Sequence, residues 1–147
     1  MRHAFFSFHY QRDIFRVNQI RSLPNIMGEA AAGFRDASLW EEAKRKGDTT
    51  IKGMIDRALH GTTVTVVCIG YETAGRRYID YEINESLRRG NGVIGVRINH
   101  LIGHSKTSDP QGAVPQLLQR HALPVYTYQN TESLARWIEH AAMARSF

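Results

Sequence analysis

Among 147 residues there is one cysteine, Cys68. No intrachain disulfide can form, and no cysteine-based zinc site can be built from that residue alone. Because Cys68 lies inside the apolar run TVTVVCIG, it reads as a small buried hydrophobe. Long hydrophobic runs are missing too, so no segment approaches the ~20 apolar residues that cross a bilayer. The opening stretch MRHAFFSFHYQRD has an apolar patch too short, and too soon interrupted by His9, Gln11 and Arg12, to act as a secretory h-region. A cytoplasmic protein without membrane contact is expected. The pattern G-x-x-x-x-G-K-[ST] is absent, which argues against P-loop chemistry, and so is G-x-S-x-G, which removes the usual setting of a serine hydrolase triad.

What is present is ordinary for a globular chain: 42% apolar residues, 22% charged, and no internal repeat or linker. At this length a single domain over 1–147 buries about two thirds of its unfolded surface and needs no staple. The net charge of +5 raises the question of nucleic acid. Its clusters, Lys44-Arg45-Lys46, Arg76-Arg77 and Arg88-Arg89, fall at expected helix ends rather than along one stripe, so solvated termini explain them better. No nucleic-acid partner is expected, and a polyanionic small molecule would suit the balance.

Along the chain, His3 to Phe8 reads as a buried strand, followed by Asp13 as an N-cap and an amphipathic stretch with Ile14, Val17 and Ile20. The region GEAAAGFRDASLWEEAKRK is less regular and gives no clear strand. Asp48 or Thr49 caps a helix carrying Ile51, Met54, Ile55, Ala58 and Leu59, which Gly61 ends. Thr62 to Ile69 has the near-continuous apolar character of a central strand covered on both faces. Arg77 to Arg89 is a helix with Ile79, Ile83 and Leu87 at four-residue spacing. Val93 to Ile98 and Pro124 to Tyr128 are two more buried strands, and a last helix aligns Leu134, Trp137, Ile138, Ala141 and Ala142. Alternation of this kind predicts an α/β fold: a flavodoxin-like parallel sheet of about five strands with helices on both faces. His100 to Ala122 is the longest irregular connection and a candidate lid or contact surface.

Ligands of such sheets bind beyond the carboxyl ends of the strands, which places Ser7 to Arg12 and Gly70 to Arg77 on one rim. Gly90, Gly92 and Gly95 match G-x-G-x-x-G, yet they follow a helix and enter a strand, the reverse of what a pyrophosphate loop needs. Gly90 is better read as a helix C-cap. His100 and His104 would share a face only if helical, and lack a third ligand, so no metal site is expected. Glu82 is the acid of interest. It lies one residue from the core stripe, with Tyr78 one turn before and Ser86 one turn after, so its carboxylate projects beside the packed face toward the rim. Spacing alone favours a plainer account, in which the helix dipole welcomes an early acid.

Five blocks carry a resemblance: FFSFHY at Phe5 to Tyr10, FRVN at Phe15 to Asn18, AAGFRDASLWEEAKR at Ala31 to Arg45, TVTVVCIGYETAGRRYIDYEI at Thr63 to Ile83, and GNGVIGVRIN at Gly90 to Asn99. Together they resemble the TIR-like family, and within it the Thoeris B proteins of bacterial anti-phage defence. The resemblance covers roughly the first hundred residues; the tail after Asn99 shows less of it. It implies a TIR fold that takes NAD as substrate, needs no cofactor, breaks the nicotinamide–ribose bond, and releases a diffusible ADP-ribose-derived messenger, cyclic or otherwise, that activates an effector protein. Self-assembly through TIR contacts is a further implied partner relation. The family's pattern aromatic-x-x-x-Glu is Tyr78-Ile79-Asp80-Tyr81-Glu82 here, with Tyr78 where many relatives carry Trp, so the resemblance makes Glu82 the catalytic residue and sets Tyr78 against the substrate.

The chemistry suits a lone glutamate. Nicotinamide leaves as a neutral molecule, so no acid is required, and an ionised carboxylate beside the sugar steadies the oxocarbenium-like state. Ser7, His9 and Tyr10 follow the first strand and could meet phosphate, ribose or base. Asp36, Ser38 and Trp40 sit in the block FRDASLW, where the resemblance is strongest. Each has a structural reading beside the functional one: Ser7 and Asp36 as loop caps, Trp40 as core. Two other functions stay open at this stage, a non-catalytic TIR interaction module and a nucleoside-processing transferase on a similar sheet.

Overall fold

In the computed structural model, residues 2–21, 26–30 and 45–144 are described, the segment 26–30 as backbone. The β-branched run predicted as a central strand forms β3 (Val64–Ile69), buried along its whole length. Beside it lie β1 (Arg2–Ser7) and β4 (Gly92–Arg97); β2 (Ile26–Ala30) and β5 (Val125–Thr127) close the two edges. The order β2-β1-β3-β4-β5, with every pairing parallel, is the flavodoxin-like arrangement. Five helices are described: α1 (Tyr10–Ile20), α2 (Asp48–Leu59), α3 (Arg77–Arg88), the short α4 (Gln116–Arg120) and α5 (Thr131–Ala144).

Pleating sends alternate residues to opposite faces. Val67, Ile69 and Val93 cluster with Ile79 and Ile83 of α3 and Leu118 of α4, whereas Val64, Val66, Cys68, Ile94 and Val96 join the cluster holding Leu134 and Ile138 of α5. Cys68 is fully buried, and burial pushes its thiol far above the usual range. The glycines of the Gly90–Gly95 stretch serve packing and capping. Gly90, at φ +81°, donates its N–H to Leu87 O while Asn91 N–H reaches Ser86 O, the paired bonds that close a helix C-terminus on a left-handed residue. A β-carbon on Gly92 would collide with the backbone carbonyl of Ala141, so α5 lies directly on the start of β4.

Several expectations are corrected. Pro124 to Tyr128 is no buried strand: β5 is a three-residue edge strand with Val125 and Thr127 exposed, because one side of it has no neighbour. Asp13 does not cap α1; His9 holds that position and Asp13 lies a turn inside, fully buried. Gly47 precedes α2, so Asp48 is its first residue rather than its cap. No helix among the described residues is long and apolar enough to cross a membrane.

Candidate functional site

Ser7 ends β1 and Glu82 sits in the second turn of α3. They meet: Ser7 Oγ donates a 2.5 Å hydrogen bond to Glu82 Oε1. The buried stripe of α3 is Ile79, Glu82, Ile83 and Ser86, so Glu82 lies within the stripe rather than beside it, with only 3% of its surface exposed. The reason is the sheet surface it meets. Ser7 and Thr65 supply hydroxyl groups there, and α3 turns its polar residues toward them: Thr65 Oγ1 and Ser86 Oγ are 2.6 Å apart, and Ser86 Oγ donates to Glu82 O at 2.7 Å.

Burial dominates the electrostatics of Glu82. Loss of water pushes its carboxyl up to about 8 and the Ser7 bond pulls it only part of the way back. At neutral pH the resting side chain is therefore mostly protonated, which differs from the ionised carboxylate expected from the chemistry; no cation among the described residues offsets the desolvation.

The rim forms as anticipated, with the loop after β1 against the loop after β3. His9 Nε2 stands 3.8 Å from Glu72 Oε2, and Arg12 Nη1 donates to Glu72 Oε1 at 3.2 Å. Burial and the nearby Arg76 lower the pKa of His9, so its imidazole is neutral at neutral pH. Tyr10 turns into the core, 5% exposed, its ring 6.1 Å from that of Phe8. Tyr78 is half-buried and faces α2: its hydroxyl donates to Asp48 Oδ1 at 2.9 Å while the Arg77 guanidinium lies 5.1 Å over its ring. Thus Ser7 and Glu82 come together, His9 joins the rim, and Tyr10 and Tyr78 are engaged elsewhere. Asp36, Ser38 and Trp40 lie outside the described residues.

Sequence reasoning missed a neighbouring network. Arg16, 2% exposed, pairs through Nη1 with Asp13 Oδ1 (2.9 Å) and Asp109 Oδ2 (3.1 Å), and its Nε and Nη2 donate to the carbonyls of Leu101 and Thr107. Arg12 grips Asp109 with two nitrogens, Nε and Nη2, at 2.8 and 3.1 Å. These bonds fasten Leu101, Thr107 and Asp109 to α1 and leave a cavity of about 170 Å³ among Arg12, Arg16, Gly103, His104, Ser105 and Asp109. His100 bonds the carbonyl of Tyr128 and His104 lies against Phe15; among the described residues no group of three His, Cys, Asp or Glu is placed to hold a metal ion.

Comparison with known proteins identifies the family. The family model described as "Thoeris protein ThsB, TIR-like domain" matches residues 5–101. The chain belongs to that TIR-like family. A protein of Bacillus cereus (strain MSX-D12), named "Putative cyclic ADP-D-ribose synthase ThsB1", is 48% identical over 98 residues, which are 65% of this chain and 51% of that one. This TIR-like chain thus spans about half the length of the curated relative it matches. The matched residues 5–101 take in the second half of β1, then α1, β2, α2, β3, α3 and β4, and with them Ser7 and Glu82.

Proposed function

We propose that this TIR-like domain cleaves NAD at the nicotinamide–ribose bond, with Glu82 as the catalytic carboxylate, and converts the ADP-ribose part into a signalling molecule. The observation that carries the reading is the Ser7–Glu82 bond: an acid, sequestered at the carboxyl end of β1, with a hydroxyl donor aimed at one of its oxygens. The name of the Bacillus cereus relative, a cyclic ADP-D-ribose synthase, supports a cyclic product.

The resting protonation of Glu82 has a place in this scheme. The nicotinamide ring of NAD is cationic, and a cation within a few ångströms favours the ionised form of a carboxyl, so substrate binding itself lowers the pKa that burial has raised and the carboxyl proton is released to solvent. As the glycosidic bond breaks, its electron pair leaves with nicotinamide, the ring becomes neutral and the positive charge moves to ribose. The carboxylate then faces the oxocarbenium-like sugar in a site with little water, where the interaction is strong. Cyclisation follows if a nucleophile of the same ADP-ribose unit takes the sugar in place of water. No cofactor takes part. His9, neutral and on the rim, is suited to hydrogen bonding with ribose or base rather than to charge pairing with phosphate. Asp36, Ser38 and Trp40 complete the proposed binding set.

The domain would work in the cytoplasm, its product activating an effector protein at a distance, with self-assembly through TIR contacts as a second partner relation. The near-complete burial of Glu82 is the observation that favours the alternative, a non-catalytic TIR interaction module. Incubating the protein with NAD, with and without extract from phage-infected cells, and resolving products by mass spectrometry separates the two. Nicotinamide release that disappears in Glu82→Gln supports the enzyme; equal turnover by both proteins removes Glu82 from the mechanism. Absence of release under every condition supports the module.

A further inference from the structure

We propose that Thr65 and Ser86 are positioning residues that set where Glu82 stands relative to Ser7. The inference rests on the reading of Glu82 as the catalytic carboxylate.

The direction of the bonds can be assigned from proton counting. Ser86 has one hydroxyl proton and two neighbours, the Glu82 carbonyl at 2.7 Å and Thr65 Oγ1 at 2.6 Å. A carbonyl only accepts, so the Ser86 proton is committed to it, and Thr65 must donate to Ser86. A directed chain therefore runs from Thr65 on β3, through Ser86, to the main chain of Glu82. The side chain of that same residue is held by Ser7 on β1.

For folding alone these hydroxyls are a poor choice. Thr65 and Ser86 are both 0% exposed, where aliphatic side chains would fill the space without desolvating a polar group. A serine bonded to the carbonyl four residues back, here in the last turn of α3, also weakens the helix slightly. What the hydroxyls add is direction. Apolar contacts between α3 and the sheet tolerate sliding of the helix, whereas hydrogen bonds weaken steeply when stretched or bent. Ser7 pairs in register with Val67, and Phe5 with Thr65, so Ser7 and Thr65 share one face of neighbouring strands and lie on a diagonal. Glu82 and Ser86 are about one turn apart on the helix, ~6 Å along its axis. Two anchors on two strands thus fix both the height and the rotation of α3, and a catalytic group must be held within about 0.5 Å of its working position.

The test compares Thr65→Val, which keeps the shape and deletes the donor, with Thr65→Ser, which keeps the donor and deletes a methyl. Ser86→Ala serves as an independent break of the chain. Nicotinamide release from NAD is followed for each, together with the titration of the Glu82 carboxyl by carbon NMR. Thr65→Val and Ser86→Ala are expected to lose about tenfold or more in kcat with KM little changed. Their Glu82 midpoint moves off the wild-type value, whereas Thr65→Ser keeps both close to wild type. An unchanged kcat and midpoint in Thr65→Val overturns the proposal, as does a Thr65→Ser variant that is as impaired as Thr65→Val. If Glu82→Gln retains full turnover, the catalytic reading fails and takes this one with it. If Glu82→Gln is inactive while Thr65→Val is unimpaired, only the positioning role falls.

Discussion

Arg16 and Asp13, one turn apart on α1, form an ion pair of 2.9 Å in which neither partner has more than 2% of its side chain exposed. Burial raises the Asp13 carboxyl and the Arg16 guanidinium only partly opposes it, while Asp13 Oδ2 has no hydrogen-bond partner among the described residues. The pair is therefore held on a narrow margin. Replacing Arg16 with Met leaves a buried acid without its counter-ion and frees the carbonyls of Leu101 and Thr107, at an expected cost of about 3–5 kcal/mol in urea unfolding. Adding Asp13→Asn recovers a large part of that loss. A single-variant loss below about 1 kcal/mol would show that the pair behaves like a surface one.

Gly90 and Gly92 separate capping from close packing. Ala at Gly90 has free space but must adopt φ +81°, costing about 1 kcal/mol. Ala at Gly92 has a permitted backbone but meets the Ala141 carbonyl, and displacing α5 costs about 1–3 kcal/mol. Neither change alters the KM for NAD at temperatures where the variant stays folded. A large rise in KM for either would restore these glycines as a nucleotide loop.

Local features were legible in the sequence: the extent of α3, the Gly90 cap, the buried run of β3, and the parallel alternation that sets the fold. Features that depend on partners far along the chain were not. Asp13 looks like a cap because caps are local, but its actual partners include Arg16 and, through it, Asp109, a meeting that no pattern near residue 13 records. In the sequence Ile79, Ile83 and Leu87 define an apolar stripe with Glu82 beside it, and Leu87 does pack against Ile79 and Ile83. The sheet adds Glu82 to the buried face, since Ser7 and Thr65 make a polar surface that draws Glu82 and Ser86 inward. Its raised pKa follows from that burial and could not be read from neighbours in sequence.

Stability should depend on pH through Glu82. The carboxyl titrates near 4.5 when unfolded and at about 8 when folded, so between those values the native state holds a proton that the unfolded chain has released. Raising the pH through this window therefore costs stability, at about 1.4 kcal/mol per pH unit. His9 acts with the opposite sign, its folded pKa being lowered, so the Glu82 contribution is isolated by subtracting the curve of Glu82→Gln from that of the wild type. A difference that stays flat between pH 4.5 and 8 would mean that Glu82 is ionised in the native state.

Ser7→Ala tests how Glu82 is made usable. Ser7 supplies the hydrogen bond that opposes the desolvation of the carboxyl, and a bond to a charged acceptor contributes about 1.5–3 kcal/mol. Without it the ionised form is disfavoured by a further 1 to 2 pH units or so. Under the proposed reaction, in which only the Glu82 carboxylate is productive, kcat/KM for NAD is expected to rise as the pH passes about 8. In Ser7→Ala that rise moves to higher pH, leaving a deficit of about tenfold or more at neutral pH that alkaline conditions partly restore. If Ser7 instead touched substrate directly, the deficit would appear in KM and persist at every pH. A profile with the wild-type midpoint and a uniform loss would therefore exclude the Ser7–Glu82 bond as the source of the effect.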